Sequence, residues 1–514
     1  MTDQEFVIKP EPRKPRRVPP VLVALVLIAV VGAGFLAYGS LTANGVLPVQ
    51  APAASLIPVA GDAVGGELPS IIVAVLPLAP AQQVGSAQSF AEDSSERLVD
   101  ALKVRRSEAS YFTDGLASHL IEGLSQFAGV AAISQESSFP LRDSREVGRA
   151  IGKKLGATHL LQGSAQRRGE DVLVDASLVR ISDGSTLWFD HYQRPYKELF
   201  QLQDDLMAAI GSALKVQRMP APQGSQDTRP QSGKLAAYDA LLQGDGLARH
   251  LDQDSLRQAV SAYEQAVKLD KEYAHAYARR ALARIQLATR FPADAVAGDA
   301  RGEGERARRD AMMALRLAPN SASAHAANAA WLSAVALDQA GAMLETTRAL
   351  ELRPQDPSLR HSLAIQQTAF GQLEEAAGNL RRVLALNPLS STVQYNLGGV
   401  YLGKNDFSEA EFALQQALAL RPDVSVVRAF QAIAVFQQNR TEEAIRLAAS
   451  EPDPLWRSYA LAMAYWAKGD RTRSDVELHS LIRNHASSAA TQIAGIYAQR
   501  DDKVAMFQWL DRAR

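Results

Sequence analysis

A short phrase recurs in the second half of this chain at a fixed interval. Pro354, Pro388 and Pro422 follow one another at 34 residues (388 − 354 and 422 − 388). Each closes a similar phrase: Ala-Leu-Glu-Leu-Arg-Pro, Leu-Ala-Leu-Asn-Pro and Ala-Leu-Ala-Leu-Arg-Pro. A period in this range means stacked helical hairpins, because one such unit buries its apolar face only against its neighbours. Stacks of this kind usually hold other proteins, so the repeat points to binding rather than chemistry.

The chain has 514 residues, too many for one ordinary domain, and 47% of them are hydrophobic, ample for folded cores. A net charge of −1 gives no basic excess for nucleic acid. The absence of cysteine excludes disulfides, thiol catalysis and Cys-ligated metal sites.

The N-terminus carries a topological signal. Lys9, Arg13, Lys14, Arg16 and Arg17 precede an uncharged run from Val21 to Leu41. As a helix that run would extend about 31 Å, close to the hydrocarbon thickness of a bilayer. The charge step across it predicts a cytoplasmic tail and a periplasmic bulk, single-pass in the inner membrane. A cleaved signal peptide is the competing reading, but its apolar region is normally shorter, roughly 7–15 residues. Ala29, Ala33 and Ala37 share one helical face and offer a seam for a homodimer through the span.

The expected organisation is a basic tail at 1–17, a transmembrane helix at 18–41, a linker at 42–69, a mixed α/β domain at 70–217, a second linker at 218–233 and an all-α superhelix at 234–514. In the α/β part, strands are expected at Ile71–Leu76, Val130–Ile133, His159–Ala165, Asp171–Ile181 and Thr186–Tyr192. Phe112, Leu116, Leu120 and Leu124 mark an amphipathic helix. Further helices are expected at Ser144–Leu155, with Ser144 as N-cap and Gly156 as stop, and at Leu199–Leu214.

In the repeats, Leu397, Gly398 and Tyr401 mark a first helix, and Ala410, Leu414 and Ala417 a second, ended by Pro422. About eight hairpins fit Leu235–Arg514, with an insertion at Phe291–Glu305 and a shortened unit near Pro452-Asp453-Pro454. These units resemble the tetratricopeptide repeat, whose small and large residues fall at the same offsets. The resemblance implies that a protein or peptide partner binds the concave face. Tyr395, Leu402 and Phe436 are the expected contacts there, without the Lys/Asn cluster that grips acidic C-termini in many members. Packing within the repeat is the competing reading of these three side chains.

Chemistry is not signalled. No His-Glu-x-x-His, phosphate loop or Gly-x-Ser-x-Gly occurs. His119 reads as a surface or satisfied histidine. Asp190-His191 lies on one strand, where neighbours point to opposite faces. The run Arg301, Arg306, Arg308 and Arg309, interleaved with Glu303, Glu305 and Asp310, reads as a solvated helix face. No catalytic residue, metal or cofactor is expected.

An ordered series of phrases in the middle domain resembles the TolB-like N-terminal domain of bacterial envelope and signalling proteins. It runs Ile72-Val73-Ala74-Val75-Leu76-Pro77, Tyr111–Leu116, Leu120–Ser125, Ala150–Ala157, Leu160–Ser164, Leu187–Tyr192 and Phe200–Asp204. The segment Ala81–Ser110 departs from the family, which passes sooner from first strand to first helix. In that family the domain often adjoins tetratricopeptide repeats, and it often follows a cyclase catalytic domain or, in CadC-like regulators, a DNA-binding domain and a span. The 17–20 residues before this span are too few for either. The resemblance therefore implies a membrane-anchored scaffold or sensor that binds a protein partner. The alternative is a membrane-tethered regulator acting through a cytoplasmic partner. An enzyme is the reading least supported.

Overall fold

The computed structural model describes residues 69–80, 111–142, 144, 146, 148–219, 228–291 and 299–513. The expected tail, span and nearly all of the first linker lie outside the described residues. Among the described residues no helix is long and apolar enough to cross a membrane.

The N-terminal part is built on a six-stranded sheet: β1 (Ile71–Val75), β2 (Ala79–Pro80), β3 (Val130–Ala132), β4 (His159–Arg168), β5 (Asp171–Arg180) and β6 (Thr186–Pro195). The order is β3-β1-β4-β5-β6, with β2 beside β4. β1 is flanked by parallel β3 and β4, with Val73 opposite both Ala132 and His159. Cover on both faces explains its unbroken apolar run. β4, β5 and β6 form an antiparallel meander. In β5, Val172, Val174, Ala176 and Leu178 alternate into the core. Gly169 and Gly184 turn the two hairpins at φ of 63° and 78°, a region that favours glycine.

Residues 111–124 form helix α1. Three more helices follow: α2 (Gln135–Ser138), α3 (Gly148–Lys154) and α4 (Leu199–Leu214). Leu116, Leu120 and Leu124 of α1, with Leu202, Leu206 and Ile210 of α4, cover the face that carries Val73 and Val75. Ile151, in the middle of α3, and Leu155, just past its end, cover the opposite face with Ala74 and Leu160. The helix expected from Ser144 begins instead at Gly148. Ser144 Oγ accepts the Glu146 N–H at 3.2 Å, a local turn that competes with helix.

Sixteen helices follow among the described residues, paired as eight hairpins: α5/α6 (Leu235–Ala248, Gln253–Leu269), α7/α8 (Ala274–Arg290, Asp299–Leu317), α9/α10 (Ala322–Ala334, Gln339–Leu352), α11/α12 (Pro357–Ala369, Leu373–Leu386), α13/α14 (Ser391–Lys404, Phe407–Leu420), α15/α16 (Val427–Gln437, Thr441–Ala449), α17/α18 (Pro454–Lys468, Arg471–His485) and α19/α20 (Ala490–Gln499, Lys503–Arg512). Side chains of Asp252, Ser321, Asp338, Asp356, Ser390, Asp453, Asp470 and Asp502 cap helix N-termini by accepting backbone N–H groups. The sixth hairpin carries the expected shortening, with helices of 11 and 9 residues. The expected insertion at Phe291–Glu305 is narrower, because Asp299–Glu305 already belongs to α8.

Two expectations are corrected by packing. First, Asp310 does not share a solvated face with its arginine neighbours. It is 4% exposed and accepts from Arg280 Nη2 at 2.6 Å and Arg284 Nη1 at 2.8 Å. Second, the described end of the 218–233 segment is not a free spacer. Arg229 binds Asp204 at 2.9 Å, Tyr273 donates to Thr228 O at 2.6 Å, and Ser232 Oγ donates to Asp270 at 2.8 Å. Beyond them, α1, α4 and the sheet share one continuous apolar core with α5, α6 and α7. Sheet and first hairpins thus fold as a single packed body.

Candidate protein-binding surface

In the fifth hairpin, α13 crosses α14 at close range. Gly398 has no side chain, and a Cβ there would lie 2.6 Å from Leu414 Cγ. Ala410 is fully buried at the same crossing, with its carbonyl oxygen 3.4 Å from that point. Small residues at this crossing let the helices approach, and Leu414 fills the space beside them.

That close packing decides the fate of the three expected contact residues. Tyr395, Leu402 and Phe436 are 0%, 4% and 5% exposed and belong to one apolar cluster of the fourth to eighth hairpins. Tyr395 meets Phe430 edge to face at 5.7 Å, and Phe430 continues to Trp456 and Tyr459. The structure brings the three together, but as core rather than as an accessible surface. The physical reason is the packing of successive first helices: Phe430 of the following hairpin closes over Tyr395 and is itself backed by Trp456 of the next. Burial raises the Tyr395 pKa, and its hydroxyl has no hydrogen-bond partner in the structure.

A polar row on the first helices was not read from the sequence. His361, Asn396 and Gln431 follow one another at 35 residues (396 − 361 and 431 − 396). Asn396 Nδ2 meets His361 Nε2 at 2.8 Å, and burial pushes the His361 pKa down to about 4. The recurrence of a polar residue at a 35-residue interval was the available signal.

Apolar side chains do reach solvent on the second helices. Met312 on α8, Leu344 on α10, Phe412 on α14, Val476 on α18, and Val504 and Phe507 on α20 are each about half exposed or more. Leu344 and Phe412 stand off the stripe of small residues that marks their helices, which is how a sequence reveals them. The other singled-out residues carry no reactive geometry. His119 meets Arg229 at 3.4 Å, and desolvation beside that guanidinium lowers its pKa to about 3. The His191 ring bonds Asp175 across β5 and β6 at 2.6 Å, rather than Asp190 on its own strand. Among the described residues no group of three His, Asp or Glu side chains forms a metal site.

Comparison with known proteins bears on the repeats. Residues 367–434 match the tetratricopeptide repeat model. Over 173 residues the chain is 28% identical to "Putative adenylate cyclase 3" of Rhizobium meliloti strain 1021, covering 33% of this chain and 29% of that protein's length. Among solved structures, Pseudomonas aeruginosa PilF aligns at 21% identity and TM-score 0.33, over 43% of this chain and 97% of PilF. A thermophilic repeat protein of Thermus thermophilus aligns at 18% and 0.30, over 34% of this chain and 98% of its own. Human IFIT1 with a capped RNA aligns at 14% and 0.38, over 61% and 76%. Residues 367–434 are thus tetratricopeptide repeats, set within a helical superhelix that follows a mixed sheet.

Proposed function

We propose that this protein is a non-catalytic, inner-membrane-anchored periplasmic scaffold or sensor that binds a protein partner through its repeats. The observation that carries the reading is the stack of eight hairpins, part of which matches a repeat family, with large apolar side chains left in solvent on its outer helices. Where such side chains join into one contiguous patch, they mark a surface that a protein partner covers. With Tyr395, Leu402 and Phe436 in the core, Leu344, Phe412 and Phe507 are the side chains through which we place the contact. The anchor at 18–41 and the periplasmic side rest on the charge step of the sequence, and the TolB-like identity of the sheet domain rests on its ordered phrases.

The cyclase-named relative favours a second reading, a membrane-tethered regulator working through a cytoplasmic partner of residues 1–17. The activity in that name is not carried over, because the chain spans 29% of that protein. Capture from detergent-solubilised membranes separates the two. The full chain, a chain lacking residues 1–17, and Leu344→Ser/Phe412→Ser would be compared. The scaffold reading expects capture lost in the double variant and kept without the tail. The reverse pattern supports the regulator. A cytoplasm-only reporter fused after Arg514 is expected to be silent; activity would reverse the topology.

A further inference from the structure

The sheet domain touches the repeats a second time, far from the shared core. The site is the turn between α12 and α13. Glu136, on α2, accepts from Asn387 Nδ2 at 2.5 Å and from Ser390 Oγ at 2.7 Å, one donor on each carboxylate oxygen. Ser137 Oγ donates to Asn387 Oδ1 at 2.5 Å and accepts the Leu389 N–H at 3.0 Å. The Ser134 N–H donates to Leu386 O at 2.8 Å. Ser137, Asn387 and Ser390 are 0%, 5% and 1% exposed, and Leu389 packs against the cluster of Ile133 and Leu141.

The sequence marks this turn. The residue before the repeat proline is Arg353 in the third hairpin and Arg421 in the fifth, but Asn387 in the fourth. The fourth position after each preceding helix end, read as Asp356, Ser390 and Val424, also differs. An arginine at 387 would offer no acceptor to Ser137, so the bond pattern belongs to this turn alone among the three.

We infer that the turn at 387–390 is a receptor for an acidic Glu-Ser segment, filled in this chain by its own Glu136-Ser137. Three donors converge there: the Asn387 amide, the Leu389 N–H and the Ser390 hydroxyl. A carboxylate followed by a hydroxyl matches them. The two attachments of the sheet domain differ in kind. At α5 it is fused through a large apolar core, whereas at 387–390 it is held by five hydrogen bonds and one leucine. Together they tie the sheet domain to the first and the fourth hairpins, and the polar attachment is the one whose partners another ligand can replace. An acidic segment of a partner competes for the same donors, so its binding is coupled to release of the sheet domain.

Amide hydrogen exchange of the full chain tests this, with the Leu389 and Ser134 N–H groups as reporters. Glu136→Ala should speed exchange at both by at least tenfold while α12 and α13 keep their protection. Asn387→Arg, which installs the residue of the neighbouring repeats, should do the same without harm to the hairpin. The peptide Ser-Gln-Glu-Ser-Ser, added in millimolar excess to Glu136→Ala, should restore protection at Leu389, and Ser-Gln-Ala-Ser-Ser should not. Unchanged exchange in both variants would overturn the inference. So would equal protection by the two peptides, or loss of protection throughout α12 and α13, which would make the contact part of the repeat's own fold.

Discussion

Gly398 lies against Leu414 with no room for a side chain: a Cβ on the glycine would come 2.6 Å from Leu414 Cγ and 2.9 Å from its Cδ2. This contact fixes the spacing of α13 and α14, and with it the register of the fifth hairpin.

Substitutions at that crossing should therefore act by overpacking. Gly398→Val and Ala410→Trp are each expected to cost about 1–3 kcal/mol or more. The loss should concentrate in the fourth to sixth hairpins, since stacked repeats couple mainly to neighbours. Chemical denaturation combined with hydrogen exchange checks both points. Wild-type stability in Ala410→Trp would remove the assigned packing.

Tyr395 allows a sharper test, because its ring and its hydroxyl have opposite expected effects. The ring is fully buried between neighbours, so Tyr395→Ala should cost about 3–5 kcal/mol. The hydroxyl is buried without a partner, so Tyr395→Phe should leave stability unchanged or raise it. A marked loss in Tyr395→Phe would mean that the hydroxyl is bonded in solution. Neither change is expected to alter partner capture unless the fold is lost.

Four histidines, His119, His159, His275 and His361, have pKa values lowered by burial and should make the protein acid-sensitive. Desolvation lowers the pKa of His119 and His275 to about 3 and that of His361 to about 4, against an ordinary 6.5. The unfolded chain takes up these protons near pH 6.5, while the folded chain stays neutral until far lower. Their contribution is thus complete above pH 6.5 and is lost as the pH falls toward 4. Glu122 and Glu451, whose pKa burial raises above 4.5, act in the opposite sense. The histidine effect is isolated by His275→Gln, whose cost should shrink between pH 7.5 and pH 5. An equal cost at both would show that the imidazole is not held neutral.

Much of the architecture was legible because it is written in local periods. The 34-residue recurrence located the stacked hairpins, and Gly398, Ala410 and Leu414 marked the two helices of one of them. The strand patterns at Ile71–Leu76, Asp171–Ile181 and Thr186–Tyr192 marked the inner strand and two strands of the meander in the same way. Each of these signals comes from residues near one another in the chain, where helix and strand geometry dictates which face a side chain takes.

What the sequence by itself determined, then, is which segments are helix or strand and which residues each turns inward. What only the tertiary structure decided is what lies opposite those faces. Tyr395, Leu402 and Phe436 occupy inner first-helix positions in either case. Whether such positions meet solvent or a neighbour depends on how closely successive hairpins stack, and that follows from the sum of many contacts. Likewise Glu136 and Asn387 are 251 residues apart. Nothing local to either predicts their hydrogen bond, because it exists only once the sheet domain has fused to α5 and the superhelix has curved back to meet it.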